Sequence, residues 1–458
     1  MTDLQRAYNA LSGKQAAYTM AWRYYDGDQP LKYSTERLRE LFRSIDVNFN
    51  QNWCAVVIDA VTDRTILTGF DSKDKTASSI LQSAWDGNHL NLDAADVHEA
   101  ALVTGEAFII GWKDDDGNPE VYYNDPRMVH VFYQADNPKV KEFAAKWWVD
   151  GESGKWRMNL YYPDRVEHYI TASKNQPQSA GAFKPDEIPS EPHDFGIIPV
   201  FHFRRTRRGI RSELANVIPQ NDAVNKLLSD MMVAAEFGAF KQRYIISGSG
   251  TSDLKNSPGL IWDIPAGDGQ EQGTTVGEFT ETDLDGYLNA IDKMVNAIAI
   301  ISRTPKHYFM SAGAGVSGDA LIAMESPLVK KVKKLQEAFN PAWQEVAEFI
   351  LRQSGVSIAA SDIVPTWERA ESVQPVAEAQ ARQANVNSGV PLVTALRWEG
   401  KTAAEIEAME KDQKAEQARN KSLAQSVLNV VRTEDAQTNP PQTGNQNGNP
   451  AKNGEGVK

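Results

Sequence analysis

This chain of 458 residues has one cysteine, Cys54, so disulfide frameworks and cysteine-based metal sites are both excluded. No apolar run approaches the ~20 residues that span a bilayer, and Met1-Thr2-Asp3-Leu4 lacks the basic-then-apolar pattern of a secretory leader. Synthesis in a reducing cytoplasm is therefore expected. No G-x-x-x-x-G-K-[ST] stretch is present, which argues against a nucleotide-driven motor. The seven histidines are scattered, and none forms an H-E-x-x-H pair, so a zinc hydrolase has no support. Positive charge is also in deficit: 48 Lys and Arg stand against 61 Asp and Glu, a net charge of −13. Tight DNA binding draws its affinity largely from phosphate neutralisation, so this balance fits a surface that DNA passes without adhering, or an ordinary soluble protein.

What remains is a globular composition, 41% hydrophobic and 24% charged, long enough for two to four packed units. Helical spacing covers residues 2–25, 34–45, 52–62 and about 77–104. Beyond Gly105 the pattern turns to strands. Glu106 to Trp112, an Asp-rich turn at 114–118 and Glu120 to Tyr123 read as a hairpin. Strands over 128–134, 142–149, 155–162, 167–171 and 197–203 complete an α+β region with a mostly antiparallel sheet, and the polar stretch 172–192 reads as a loop.

From about Pro219 to Phe237 a helix buries Val224, Leu227, Leu228, Met231 and Ala235 on one face. A second helix opens with a capping box, Thr282-x-x-Asp285. Its stripe is Leu284, Tyr287, Leu288, Ile291, Met294, Val295, Ile298 and Ile301. Each rod is roughly 30 Å long at 1.5 Å per residue, and the Gly- and Ser-rich insertion between them has strand-like 244–246 and 260–262. A long helical stretch to about Ser354 contains Pro327 and Pro341 and is expected to kink or break twice. Polar helices over 371–386 and 402–432 precede an Asn-, Gln- and Gly-rich tail from Thr433 that reads as disordered.

The candidate chemistry is sparse. Gly313-Ala-Gly315-Val-Ser-Gly318 matches G-x-G-x-x-G, but a dinucleotide site requires a strand before it and a βαβ unit around it. A flexible loop between helices is the preferred reading, with a nucleotide-binding enzyme using residues 313–318 as the alternative. Asp114-Asp-Asp-Gly117 lacks the bidentate glutamate of a calcium loop and reads as a charged turn. The densest basic cluster is Arg204, Arg205, Arg207, Arg208 and Arg211. The first four, with Lys330, Lys333 and Lys334, are candidate contacts to DNA or to a neighbouring subunit; solvated faces are the plainer alternative. No catalytic constellation and no cofactor is indicated.

Several short motifs, taken in order and spacing, resemble the portal proteins of long-tailed double-stranded DNA phages. They are Tyr24-Tyr25-Asp-Gly27, Asn52-Trp53-x-x-x-Val57-x-Asp59, Asp63-Arg64, Gly69-Phe70, Ile198-Pro199-Val200, Ser212-Glu213-Leu214, Gln220-Asn-Asp222-Ala-Val-Asn225 and Ser317-Gly318-x-Ala320-Leu321. The resemblance covers roughly residues 10–420. It implies a wing over 1–211, stem helices over 212–240 and 282–302, and a clip over 241–281. It further implies a tunnel loop over 303–318, a long helix and return of the wing over 319–370, a crown over 371–432 and a tail over 433–458. It implies a non-enzymatic ring, in the family a dodecamer, at one capsid vertex. Double-stranded DNA would pass through it, and terminase, head-completion and connector proteins, the major capsid protein and scaffolding proteins would be partners, with no membrane involved. On that plan Ser311, Gly313, Gly315, Ser317 and Gly318 line the channel, while Ile261, Trp262 and Ile264 form the docking surface of the clip.

Overall fold

The computed structural model describes residues 1–30, 32, 50–239, 243–246, 275–278, 283–310, 317–372, 375–399, 401 and 403–438. They fall into two compact units, Met1–Val373 and Gln374–Lys458.

The first unit is built on antiparallel sheets and long helices. Helix α1 (Asp3–Asp26) starts at a reciprocal capping box of Thr2 and Gln5 and stops at Gly27, whose positive φ of 78° a glycine adopts without strain. Helix α2 (Trp53–Thr62), strand β1 (Leu67–Ser72), α3 (Lys75–Gly87) and α4 (Leu90–Val103) follow. The stretch expected as one helix over 77–104 is therefore two. Asn88 ends the first: its side chain donates to the Ala84 carbonyl at 2.9 Å and accepts from the Val121 amide at 3.0 Å, while His89 turns left-handed.

Next come β2 (Glu106–Lys113), β3 (Pro119–Asn124), β4 (Val129–Tyr133), β5 (Lys141–Val149), β6 (Trp156–Tyr161), β7 (Arg165–Thr171), β8 (Phe183–Pro192) and β9 (Val200–Arg204). They form a three-stranded sheet ordered β3-β2-β9 and a five-stranded sheet ordered β4-β5-β6-β7-β8, all antiparallel. Strand β2 is buried on both faces. Phe108 and Ile110 pack toward Val131 and Ala144 of the larger sheet, while Ala107 and Ile109 join the main core. The other face of the larger sheet, Phe143, Ala145, Trp147, Met158 and Leu160, is covered by Ala7 and Leu11 of α1. The loop expected over 172–192 contains β8, a corrected reading. It is an edge strand, almost wholly exposed, whose ladder to β7 is interrupted between Ser190 and Pro185, where Pro189 lies, and no apolar alternation betrays it.

Helix α5 (Ile218–Ala239) and helix α6 (Asp285–Ser302) pack together, and between them β10 (Arg243–Ile246) pairs with β11 (Thr275–Glu278). Thr282 of the expected capping box lies outside the described residues; Leu284 stands at the N-cap of α6, and Asp283 accepts from the Asp285 amide at 2.9 Å. Of the expected α6 stripe, Ile291, Val295 and Ile298 are buried, but Leu288 and Ile301 are exposed.

Helix α7 (Gly318–Gln353) runs for 36 residues through both prolines, so neither of the two breaks that the sequence allowed occurs. Pro327 and Pro341 lie on its exposed side, so the Ala323 and Glu337 carbonyls they leave unpaired face solvent. Its buried stripe, Leu328, Val332, Leu335, Phe339, Trp343, Val346 and Ile350, is the spine of the main core. The unit closes with β12 (Ile363–Trp367), paired antiparallel to β1.

Two glycines permit close approach. Gly105, at φ 100°, joins α4 to β2, and a Cβ there would meet the Arg211 backbone at 2.7 Å; one at Gly111 would strike the Phe349 ring at 2.5 Å. The second unit holds α8 (Pro375–Asn387), α9 (Leu392–Trp398) and α10 (Ala403–Thr438), with Arg382 paired to Glu399 at 2.8 Å. Helix α10 continues past Thr433, where the tail was expected.

Candidate functional site

Three motifs far apart in sequence meet at one polar junction. Asn221, Asp222 and Asn225, in the first turns of α5, are buried. Tyr24 donates to Asp222 at 2.7 Å, and Lys32 lies 3.2 Å from the same carboxylate. The Gln51 amide donates to Asn225 at 2.7 Å, whose Nδ2 returns a bond to the Gln51 carbonyl, and the Trp53 amide donates to Asn221 at 3.1 Å. Asn52 caps α2 and donates to the Tyr25 carbonyl, while Tyr25 donates to both Asp59 and Glu99. Burial raises both carboxylates, and Tyr25 counteracts it by donating to them. The start of α5 is thus held to α1 and α2 by bonds whose loss would leave buried polar atoms unpaired.

A second cluster brackets the glycine-rich segment. The Arg64 guanidinium donates to the Ala370 carbonyl at 2.8 Å, Tyr308 Oη at 2.8 Å and Ser372 Oγ at 2.9 Å, and lies 3.1 Å from Glu325. Tyr308 precedes that segment and Glu325 follows it, so one side chain grips both flanks. A cleft of about 300 Å³ opens here, lined by Asp63, Arg64, Tyr308 and Glu371. Ser317 Oγ caps α7 by accepting from the Ala320 amide, and Ser317 and Gly318 are exposed. Ser311, Gly313 and Gly315 lie outside the described residues, as do Ile261, Trp262 and Ile264. The described flanks of the segment are a 3-10 turn over Lys306–Tyr308 and helix α7, not the strand that a dinucleotide fingerprint requires.

The basic residues separate. Arg204 stacks over Tyr133, 4.2 Å from its ring centre, and Arg205 pairs with Glu213. Arg207 and Arg208 are exposed, as are Lys330 and Lys334, whereas Lys333 pairs with Glu371. Between Lys330 and Lys333 sits a largely buried lysine outside the expected set, Lys331. It lies 2.8 Å from Glu213 and donates to the Ser302 carbonyl, and burial, then Arg205 and Arg303, push it down to about 8. A signal was present: position 331 falls three residues after Leu328 and four before Leu335, on the apolar stripe.

Also unanticipated is a buried charge cluster between the sheets. Glu106 receives Tyr18 Oη at 2.6 Å, Lys14 Nζ at 3.0 Å, and faces His202 Nε2 at 3.0 Å. Burial alone would raise this carboxyl; Lys14 and then His202 outweigh it and hold it well below the ordinary range. His98, likewise buried, accepts from Trp343 Nε1 at 3.0 Å and is pushed down to about 3 by burial: a core histidine. Among the described residues, no three His, Cys, Asp or Glu side chains converge as metal ligands, and no helix is long and apolar enough to cross a membrane.

An antiparallel α+β body with a helix pair enclosing a small ribbon is an architecture different from the βαβ unit of dinucleotide binders. Residues 14–419 match the family model "Phage portal protein, SPP1 Gp6-like", and the chain belongs to that family. It is 24% identical over 425 residues to the portal protein of Mycobacterium phage D29, covering 84% of this chain and 82% of the relative. The portal protein of Mycobacterium phage L5 is also 24% identical, over 348 residues, covering 69% of this chain and 66% of the relative. A solved chain titled "Neck of empty GTA particle computed with C6 symmetry" is similar at 12% identity and a TM-score of 0.45, covering 81% of this chain and 89% of that one.

Proposed function

We propose that this chain is the subunit of a dodecameric portal ring at one capsid vertex, the channel for double-stranded DNA packaging and ejection. The observation that carries this reading is the family match across residues 14–419. In it, the sheet-bearing region is the wing, α5 and α6 are the stem, and the insertion that includes β10 and β11 is the clip. Residues 303–318 are the tunnel loop, with Arg64 holding its flanks, residues 371–432 form the crown and 433–458 the tail. Terminase and head-completion proteins dock at the clip, where Ile261, Trp262 and Ile264 supply apolar anchors; capsid and scaffolding proteins contact the ring's outside. The role is structural and virion-borne. The acidic balance, multiplied around a ring, keeps passing DNA from adhering.

Negative-stain images of the purified protein should show rings with a central hole. Leu228→Asp, on the inner side of α5, should abolish them, because burying an unpaired carboxylate costs several kcal/mol. Leu228 also packs on the subunit core, so circular dichroism must accompany the images. Intact rings from this variant would remove α5 from the subunit contacts.

The nucleotide-cradle alternative predicts a ligand-raised melting temperature, since binding to the native state must stabilise it. The expected result is no shift with ATP or NAD. Gly313→Pro with Gly315→Pro should leave rings intact yet block packaging to full genome length, because proline removes the backbone freedom a moving loop needs. A ligand shift in the parent that the double variant loses would overturn the portal reading.

A further inference from the structure

Opposite charges gather at opposite ends of the three-stranded sheet. At one end, Arg204 pairs in register with Glu106, and the loop beyond carries Arg205, Arg207 and Arg208. Arg204, Arg205 and Arg207, with Lys139 and Lys141, line a cleft of about 260 Å³, whose remaining wall includes Glu337 and Glu345 of α7. Lys141 is committed to Glu345 at 2.6 Å, Arg205 to Glu213 and Arg204 to the Tyr133 ring. Lys139, Arg207 and the adjacent Arg208 are exposed, and none forms an ion pair with a described residue.

At the other end, β2 and β3 join through the turn at 114–118. Asp114 spends its carboxylate inside that turn, accepting from the Asp116 and Asn118 amides at 3.0 and 2.7 Å and from Asn118 Nδ2. Asp115 and Asp116 are exposed and form no ion pair among the described residues. The eight residues of β2 separate the two poles by about 24 Å at ~3.4 Å per residue.

We infer that this cationic cleft receives the Asp115-Asp116 turn of a second copy of the chain. The inference rests on the ring reading. A ring is closed by a head-to-tail contact, which needs two different and complementary surfaces on each subunit, placed apart so that one chain cannot satisfy itself. The two poles meet that requirement. Duplex DNA fits the cleft less well: Glu337 and Glu345 would face its phosphates, whereas a tight turn presents two carboxylates to the opposite wall alone. Free carboxylates against free guanidiniums form charge-assisted, forked hydrogen bonds.

The test is charge reversal. Asp115→Lys with Asp116→Lys makes one variant, and Arg207→Glu with Arg208→Glu the other. All four positions are exposed, so each variant should melt like the parent. Sedimentation velocity and negative stain are expected to show loss of rings in each alone and recovery on equimolar mixing, because alternating subunits then restore both contacts. A chain carrying all four changes should also form rings. Rings from either variant alone, or no recovery on mixing, would overturn the inference while leaving a ring-forming parent intact. Absence of rings in the parent would instead strike the ring reading, and association of the two variants on mixing would still report the contact. If the Arg variant kept its rings and lost only retention of duplex DNA, the cluster would belong to phosphate binding and the inference would fall.

Discussion

Glu106→Ala is expected to destabilise the first unit by about 3–5 kcal/mol, the usual cost of breaking a buried ion pair from one side. Lys14 would be left with its ammonium buried and only the Val129 carbonyl to receive it, and Tyr18 would lose its acceptor. Burial already lowers Lys14 despite Glu106, so without that carboxylate it would be driven further toward the neutral amine. Urea unfolding followed by tryptophan fluorescence measures the loss. A shift corresponding to less than about 0.5 kcal/mol, the range of ordinary surface changes, would mean that the pair is solvated. Replacing both partners, Lys14→Met with Glu106→Leu, should recover the part due to the buried ammonium, while Tyr18 stays without its acceptor.

The same cluster, together with His98 elsewhere in the core, sets an acid response. The carboxyl of Glu106 is lowered in the folded state, so its contribution is present above its unfolded pKa of about 4.3 and is lost below it. His98 and His130 are pushed down to about 3 and about 4 by burial. The unfolded chain binds those protons first, so stability should begin to fall as pH drops through about 6.5 and continue down to those values.

The antiparallel α+β body, its hairpin and the two long rods were legible because each shows its period, two for strands and 3.6 for helices. Strand β8 was not, because an exposed edge has no buried face to record itself in the sequence. The unbroken course of α7 was hidden for a related reason: proline is disruptive in a buried turn, but at 327 and 341 the lost bonds point to water. The motifs around Tyr24, Asn52 and Asn221 carried the family resemblance, yet their physical role is a junction between elements more than 160 residues apart in the case of Trp53 and Asn221. No local pattern announces a partner at that distance. Glu106 was likewise read only as the start of a strand, since its partners arrive from α1 and β9.

Arg64 offers a sharper test, because its removal should change how stability depends on pH. In the parent, burial raises Glu325, but Ser372 and Arg64 outweigh it and hold its carboxyl below the ordinary value. Its side chain is only 11% exposed. Arg64→Ala takes the guanidinium from that carboxylate, leaving it the hydroxyls of Tyr308, at 3.3 Å, and Ser372, and removes the donor to the Ala370 carbonyl. The expected cost near pH 7 is about 1–3 kcal/mol, reduced from the fully buried case by residual solvent. With the guanidinium gone, only the Ser372 and Tyr308 hydroxyls still oppose burial, so the folded pKa of Glu325 should rise from where the parent holds it. A raised carboxyl favours the folded state as it protonates, so the gap between variant and parent should narrow as pH falls from 7 toward 5. A gap that stays constant over that range would show that Glu325 does not depend on Arg64. Arg64→Lys should recover little, because a compact ammonium cannot reach four acceptors spread around a planar fork. Rings should still form from both variants, since the contacts lie within one subunit. On the proposed portal role, the functional loss should appear in packaging, because the Tyr308–Glu325 bond of 3.3 Å would be left to join the two flanks of residues 311–316 without the guanidinium.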